Sequence, residues 1–461
     1  MADSIVLSIT DVDLVKSVIE SIQNNLCLNL KPKLRIKFSN VITNLALSFP
    51  GTIRTKIYCN LEKNLFKKPI EYLDLQADHA GALFSKPFTL NRSNKEFLLK
   101  LQCRIYHTGE DVDLTALMKA LTKNSHLKQL YLGHFNSMEE IDEMHGNRFH
   151  EKINTMFGEN KTLDSISIPM EGLCGTSFSG LIVNKTLTRL HISTTHQSVV
   201  SKMAHVLSQN KTLLELKISH RESSHTHFCM MLPSIQWNIN IYSLINRAHL
   251  ECLSFSGVPI QNTEVMANAF REGSKLRILK LDNNGLSDVK DLATVLKINT
   301  LLKVLSITDN SLDAEGVNAI ADMICHNKHL VELELLSRIE IPDESFGKLM
   351  TALHANPSMN HVSISKAQIM SSVMTFNQII NTIHIYDSAI SFQAFSDCLE
   401  GLRENCTLTK LFLAYVDGDY DLITKKIIAF RKQNTSLNLD VFHHDEFANV
   451  LIEAACHGVF R

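Results

Sequence analysis

Apolar residues along the chain follow a two-part pattern, clearest between Leu276 and Asn327. A short alternating run containing Leu279 and Leu281 is followed by apolar residues spaced three or four apart. Alternation predicts a strand with one buried face, because successive strand side chains point to opposite sides. The wider spacing predicts an amphipathic helix. One unit of the pattern is therefore a strand, a turn and a helix.

This unit occurs twice in the same stretch, with an offset of 26 residues. The leucines and asparagine of the first copy recur at equivalent places in the second: Leu276, Leu279, Leu281, Asn284 and Leu286 return as Leu302, Leu305, Ile307, Asn310 and Leu312. One such unit cannot bury both its strand and its helix, whereas stacked units share a continuous core. The repeat predicts an α/β solenoid, curved as a horseshoe, with a parallel sheet on the concave face and helices on the convex face.

Each unit ends at a residue that is polar in most of the units, and we call this residue the anchor. Apolar residues follow the anchor at +3, +6 and +8, as Leu127, Leu130 and Leu132 follow Asn124. Fourteen units fit, with these anchors: Ser39, Lys67, Lys95, Asn124, Asn160, Asn184, Asn210, Arg247, Gly273, Asn299, Asn327, Asn356, Asn377 and Asn405. We predict about fourteen repeats over residues 39–433, with capping units at 1–38 and 434–461, because terminal repeats must hide an open core.

Two intervals between anchors are longer than the others, at 36 and 37 residues. The extra residues fall near 136–152 and 219–237. We expect them to be insertions on a rim of the solenoid or on its convex side.

The consensus L-x-x-L-x-L-x-x-N-x-L, complete in both copies after Leu276, resembles the ribonuclease-inhibitor type of leucine-rich repeat. That resemblance implies protein recognition on the concave face. The segments NKTLDSISI, NKTLTRLHI and NKTLLELKI, without a nucleotide-binding or signalling module, are similar to leucine-rich-repeat effectors that intracellular bacteria such as Legionella deliver into host cells. This narrower resemblance implies that the partner is a host protein.

Charge and composition exclude several classes of partner. The chain has 46 basic and 48 acidic residues, so no net field attracts nucleic acid or an anionic membrane. No apolar run is long enough to span a bilayer. The ten cysteines form no C-x-x-C pair and are predicted to be free thiols, with Cys103, Cys252, Cys325 and Cys398 in packed positions. We expect a soluble monomer in the cytoplasm or, for an effector, in the host-cell cytosol.

Motifs for catalysis are missing from the sequence. It contains no G-x-S-x-G, Walker A, H-E-x-x-H or Rossmann glycine pattern, and no cysteine stands in the Cys-x-Asp loop of bacterial leucine-rich-repeat ubiquitin ligases. We therefore predict a non-enzymatic protein-interaction scaffold without a cofactor. The alternative is a ubiquitin-ligase adaptor or a repeat-scaffold enzyme, made metal-dependent by the His-rich insertion.

That insertion carries His220, His225, His227 and Cys229, which are residue types that bind zinc. Ligands at alternate positions without a distant second pair are poorly spaced for zinc. The run from His443 to Glu446 has the same weakness. We assign no metal site to either segment.

Residues at +5, +7 and +9 should line the concave face, since +6 and +8 point inward. This face leans basic towards the N-terminus, has an acidic step in the middle and becomes apolar and aromatic towards the C-terminus. Charges beside exposed aromatic rings are typical of protein interfaces. The predicted partner-binding residues are Arg189, His191, Lys217, Glu332, Glu334, Leu336, His384, Tyr386 and Phe412. A second possibility is that the two insertions hold the partner.

Overall fold

The structure is a computed structural model of the 461-residue chain. It describes residues 4–9, 33–38, 72–79, 100–107, 118, 121–122, 124–125, 127–133, 143–169, 178–193, 197–219, 241–246, 249–258, 260, 263–335, 341–364, 379–390, 392–403, 405, 407–416, 420–433 and 438–441. For the strands at 4–9, 33–38, 72–79 and 100–107 the description is limited to the backbone. The chain divides into two compact units, 1–226 with 247–250 and 227–246 with 251–461.

The first unit contains strands β1 to β8, and each strand pairs in parallel with the next. The strands are β1 (Ser4–Ile9), β2 (Lys33–Phe38), β3 (Tyr72–His79), β4 (Lys100–His107), β5 (Gln129–Gly133), β6 (Ser165–Pro169), β7 (Arg189–Ser193) and β8 (Glu215–Ser219). Its described crossover residues include the helices α1 (Glu143–Glu159), α2 (Ser179–Val183) and α3 (Gln197–Gln209), and residues 118 and 121–122 are also helical.

The second unit contains strands β9 to β16, again parallel and paired in chain order. They are β9 (Cys252–Ser256), β10 (Ile278–Asp282), β11 (Val304–Ser306), β12 (Glu332–Leu335), β13 (His361–Ile364), β14 (Thr382–Ile390), β15 (Lys410–Val416) and β16 (Asn438–Val441). Its helices are α4 (Glu264–Arg271), α5 (Lys290–Leu296), α6 (Ala314–His326), α7 (Asp343–Ala355), α8 (Phe392–Gly401) and α9 (Tyr420–Gln433). Residues 241–246 are also helical.

Strand alternation places one face of each sheet against the helices. Leu216 and Ile218 on β8, and Leu279 and Leu281 on β10, are at most 1% exposed, while the residues between them remain partly exposed. The apolar stripe of α6 is buried as the sequence predicted: Val317, Ile320, Ala321 and Ile324. The predicted fold class is confirmed as an α/β leucine-rich-repeat solenoid with parallel strands on one side and helices on the other.

Strand positions follow the anchors closely. Thirteen anchors, from Lys67 to Asn405, each precede by five residues the first residue of a strand. The first anchor differs, because β3 pairs with Lys33–Phe38 and not with residues after Ser39, which lie outside the described residues. The division into caps and about fourteen repeats stays a prediction.

The anchor asparagines are structural residues in their own right. Asn184 donates from Nδ2 to the carbonyls of Phe157 (2.6 Å) and Asn160 (3.3 Å), and its Oδ1 accepts from the backbone N–H of Thr186 and Leu187. The same pattern recurs at Asn160, Asn210, Asn327 and Asn356. We call this series the anchor ladder. It satisfies buried backbone groups where each helix ends and the next strand begins.

A second ladder runs through the turns after β9, β10 and β11. Asn310 is fully buried, accepts from the N–H groups of Asn284 and Leu286, and donates to the Leu281 carbonyl at 2.6 Å. In the same way, Asn284 accepts a hydrogen bond from the Val258 N–H and donates one to the Phe255 carbonyl. The preceding residues, Gly257, Asn283 and Asp309, have φ between 55° and 72°, a left-handed conformation that Gly, Asn and Asp tolerate best. We call this pair the turn ladder.

Several crossovers and one cysteine differ from simple expectation. Helix α1 begins inside the predicted insertion at 136–152, so the second half of that segment is helical. In the described part of the 24-residue interval before Asn184, the helix is the five-residue α2. Cys252 is buried, but the prediction of a packed Cys325 was wrong: it lies on the exposed side of the amphipathic helix α6. No helix in the described part of the chain is long and apolar enough to cross a membrane.

Candidate partner-binding faces

Two strand surfaces carry the predicted partner-binding residues. Side chains at +5 and +7 stay partly exposed on most strands, while those at +6 and +8 are buried, as the patterns of β7 and β12 illustrate. We call the exposed side of β5–β8 the first strand face and the exposed side of β10–β15 the second strand face. Arg189, His191 and Lys217 lie on the first, and Glu332, Glu334, His384 and Phe412 lie on the second.

Charges on the first strand face are paired locally. Arg189 lies 3.0 Å from Asp164, and Lys217 lies 2.8 Å from Glu215 on its own strand. Each of these cations therefore has a carboxylate beside it. Partly exposed pairs of this kind stabilise a fold by about 0–1 kcal/mol, so their main effect here is to leave little uncompensated charge.

His191 is held between two serine hydroxyls on the neighbouring strands. Its Nδ1 lies 3.1 Å from Oγ of Ser167, and its Nε2 lies 3.2 Å from Oγ of Ser219. Burial, followed by the positive charge of Lys217, lowers the pKa of His191 to about 4. The ring is therefore neutral at pH 7, and it links β6, β7 and β8 through hydrogen bonds without adding a charge.

A long-range ion pair crosses the second strand face. Nζ of Lys280 on β10 lies 3.1 Å from Oε2 of Glu334 on β12, and the two side chains are only 13% and 21% exposed. The pair passes over β11 between them, where Ser306 is fully buried. Because both charges are largely removed from water, each depends on the other for compensation.

Asp282 lies at the end of β10 and is held by β11. It accepts from the hydroxyl of Ser306 at 2.6 Å and from the N–H of Thr308 at 3.2 Å. Burial raises the pKa of Asp282, and the nearby Glu334 acts in the same direction, while these hydrogen bonds oppose the change. This carboxylate is thus engaged within the protein.

Glu332 is compensated less directly than Asp282 and Glu334. Among the described side chains it takes part in no ion pair of its own, because Lys280 pairs with Glu334. Burial raises the pKa of Glu332, the negative charge of Glu334 and a hydrogen bond with Glu334 raise it further, and the positive charge of Lys280 opposes them. Glu332 and Glu334 therefore share one described lysine.

Three rings lie next to Glu332 on successive strands. His361 on β13 pairs with Glu332 in the sheet register. The His361 and His384 rings are 4.8 Å apart and nearly perpendicular, and the His384 and Phe412 rings are 5.5 Å apart. We call these residues the ring row.

Both histidines of the ring row are neutral at pH 7. Burial lowers the pKa of His384 to about 4, helped by His361 and Lys410, and burial also lowers the pKa of His361. Nε2 of His361 lies 3.2 Å from the hydroxyl of Ser363. The ring row therefore offers weakly polar ring faces beside a carboxyl group.

The side chains of two predicted partner-binding residues lie outside the described residues. Tyr386 lies within β14, where its backbone pairs with Ala414, but its side chain is outside the described residues, and so is all of Leu336. Sequence reasoning missed the serines that hold the charged and imidazole groups. Ser167 and Ser306 stand at +7 and Ser219 stands at +9, so position alone placed them on the faces. Their hydrogen bonds follow from the alignment of neighbouring strands.

No arrangement for metal binding occurs in the described residues, where no group of three or more His, Cys, Asp or Glu side chains could hold an ion. The segments from His220 to Cys229 and from His443 to Glu446 lie outside those residues. The prediction that neither segment binds metal stays a prediction.

Comparisons with known proteins give distant similarities. No family model matches the sequence. A mouse protein, NACHT, LRR and PYD domains-containing protein 4C, is 23% identical over 132 residues, which are 27% of this chain and 13% of that protein. The chain thus matches only a small part of that relative.

Solved structures with similarity to the chain include the yeast Rad7–Elc1 complex, at a TM-score of 0.40 and 14% identity, covering 82% of this chain and 83% of that one. Another is an internalin from Listeria monocytogenes, at a TM-score of 0.32 and 15% identity, covering 94% of both chains.

Proposed function

We propose that this chain is a non-enzymatic protein-interaction scaffold and that its second strand face binds a protein partner. The observation that carries the proposal is the ring row beside Glu332. Aromatic groups and two carboxyl groups that share one described lysine stand together on one side of a regular sheet. The first strand face, by contrast, has its charges paired.

The chemistry of the second face is that of an interface centre. Binding energy in protein interfaces concentrates in a few ring-bearing or arginine side chains surrounded by polar groups. His384 and Phe412 supply rings, and the Lys280–Glu334 pair supplies a polar border. A partner that covers the rings would remove them from water, and this gain is roughly proportional to the apolar area buried.

Narrower features of the proposal rest on the sequence resemblance. The full helices α6 and α7, each of 13 residues, support the helix-containing, ribonuclease-inhibitor type of repeat. A monomeric state, a host-protein partner and delivery by an intracellular bacterium follow from the resemblance alone. They would be tested by sedimentation, by capture from host-cell lysate and by a translocation assay.

The decisive experiment is a matched pair of double variants. The full chain, immobilised through one terminus, would first capture its partner from lysate, and the partner would be identified by mass spectrometry and purified. His384→Ala with Phe412→Ala should weaken binding at least about tenfold, because interface rings often contribute more than 1 kcal/mol each. Arg189→Ala with Lys217→Ala, on the first face, should change affinity less than about twofold.

Thermal unfolding of both double variants serves as the control for folding. Unfolding temperatures close to that of the parent chain would assign the loss of binding to the surface. Retained binding in the His384 and Phe412 variant would contradict the assignment to the second face. Loss only after shortening residues 219–237 would place the partner on that insertion instead.

A further inference from the structure

We infer that the partner presents an arginine side chain to the second strand face, where its guanidinium group lies between Glu332 and the ring row. This inference rests on the proposed function, because it names the chemistry of the partner at the same face. Its basis is an inventory of the charges, a register and the geometry of three rings.

The described charges on β10–β13 leave two carboxyl groups to share one lysine. Asp282 is bound by Ser306 and Thr308, and Glu334 forms an ion pair with Lys280. Glu332 is half-buried, shares a hydrogen bond with Glu334 and interacts with the charge of Lys280, but it has no described ion pair of its own. A cation from outside would compensate it, whereas an acidic or phosphorylated segment would meet two carboxylates of like charge.

The sheet register brings that carboxyl group next to aromatic faces. Glu332 on β12 is the direct neighbour of His361 on β13, and neighbouring strands lie about 4.8 Å apart. From His361 the rings continue through His384 to Phe412 at centroid distances of 4.8 and 5.5 Å. A side chain that reaches Glu332 therefore also meets His361, the first ring of the row.

Arginine fits this combination better than other side chains. Its guanidinium is planar, stacks on aromatic faces and pairs with a carboxylate through two parallel hydrogen bonds. The imidazoles are neutral at pH 7 and so add no positive charge to that of Lys280 and Lys410, which act on these rings. Lysine offers a compact, strongly hydrated charge without a planar face. A purely apolar side chain would bury Glu332 without compensation.

The first strand face provides an internal contrast. Its carboxylates Asp164 and Glu215 already have Arg189 and Lys217 beside them. His191 stands between two serines, and no stacked ring is described next to it. An arginine ligand would gain little binding energy there, so it should bind the second strand face in preference to the first.

Binding should also release a proton. The groups around Glu332 are Glu334 on its own strand, Lys280 and Asp282 on β10, His361 on β13, His384 on β14 and Lys410 on β15. Burial and Glu334 favour the protonated form of Glu332 in the free protein, and the charge of Lys280 opposes them without reversing the direction. An arriving cation favours the ionised form, so affinity should rise with pH through the titration of Glu332.

The test uses acetyl-arginine amide and its uncharged isostere acetyl-citrulline amide as probes. The intact chain would be titrated at pH 7 while the imidazole C–H resonances of His361 and His384 are followed by NMR. We expect saturable shifts with the arginine probe and affinity at least about fivefold lower for citrulline, as for one partly exposed charge pair. Glu332→Gln should lower the arginine affinity by a similar factor, and Glu215→Gln should leave it unchanged.

Three results would overturn the inference: equal binding of the two probes, unchanged affinity in Glu332→Gln, or no saturable shift at about 50 mM probe, a concentration well above a dissociation constant in the millimolar range. If partner capture still depends on His384 and Phe412, those results leave the proposed function intact and exclude arginine as the contact. If capture does not depend on the rings while arginine binds, the proposed function fails and the local site remains.

Discussion

The first and second strand faces stand on the same repeat but handle charge differently. On the first face, Arg189 and Lys217 each have a carboxylate within 3.0 Å, and His191 is held by serines. On the second face, Lys280 reaches across an intervening strand to Glu334, so Glu332 and Glu334 share one described lysine. The repeat determines where side chains point, while their identities decide whether a face is self-sufficient or suited to a ligand.

The largest effect on the free energy of unfolding is expected in the buried core of each unit. Leu216 in the first unit and Leu305 in the second occupy the same +6 position, and both are fully buried. Replacing either with Ala should lower the free energy of unfolding by about 2–5 kcal/mol, because it removes buried methyl groups and leaves a cavity. Urea denaturation would measure the change. Leu301→Ala, at a side chain 47% exposed, is the control.

If both substitutions lower the free energy of unfolding by similar amounts, the two cores are equivalent and the units differ in their strand faces. A loss below about 1 kcal/mol at one site only would show that the two cores are not equivalent, since full burial of leucine normally contributes more than this.

The turn ladder should come next in magnitude. Asn310→Ala removes the acceptor for two buried N–H groups and the donor to the Leu281 carbonyl. Unpaired buried polar groups make this substitution cost about 1–3 kcal/mol in unfolding free energy. Thr308→Ser, which keeps the backbone N–H that binds Asp282, provides a comparison in the same turn. A change below about 0.5 kcal/mol in Asn310→Ala would contradict the structural role of the amide.

Acid should lower the free energy of unfolding through the buried histidines of both faces. Burial lowers the pKa of His191 and His384 from 6.5 to about 4, so the unfolded chain binds protons first as pH falls. Their contribution to stability is present above about pH 6.5 and is lost between pH 6.5 and 4. His191→Gln and His384→Gln should each flatten this pH dependence by about 1 kcal/mol. Urea denaturation at pH 7, 5.5 and 4.5 would measure it.

Because carboxyl groups titrate in the same range, the difference between variant and parent is the relevant quantity. Variants whose pH dependence parallels that of the parent would exclude both imidazoles as its source.

The smallest expected change distinguishes the two faces most directly. The raised pKa of Glu332 means that its ionised form costs stability at neutral pH. Glu332→Gln should therefore raise the free energy of unfolding at pH 8 by about 0.5 kcal/mol, after allowance for solvent screening. Glu215→Gln removes a carboxylate 2.8 Å from Lys217 and should not stabilise the fold. Equal effects of the two substitutions would remove the proposed contrast between the faces.

Much of the fold was predictable because leucine spacing is a local property. The periods of two and of three to four residues predicted the strands from Tyr72 to Val416 and the buried stripe of α6. The bonds of the anchor asparagines were less accessible. Asn160 and Asn184 were visible as markers, but their bonds to the Leu121 and Phe157 carbonyls join different repeats.

The candidate site was predictable only as a direction of side chains. Strand position placed Glu332, Glu334, His384 and Phe412 on one side. It did not indicate that Lys280 forms its ion pair with Glu334 across β11 and not with Glu332. That selection depends on distances between three strands separated by more than 20 residues each in the chain.

The anchor ladder also affects how the helical crossovers and the strand faces can change in evolution. Crossover lengths vary widely: His361 pairs with Thr382, 21 residues on, while Gln129 pairs with Ser165, 36 residues on. The strands from β3 to β15 nevertheless each begin five residues after an anchor. At five anchors an asparagine amide also bonds to the end of the preceding repeat: Asn160, Asn184, Asn210, Asn327 and Asn356. Insertions and deletions among the helices can therefore accumulate without displacing the strand faces, so one side can diversify in length while the other diversifies in residue identity.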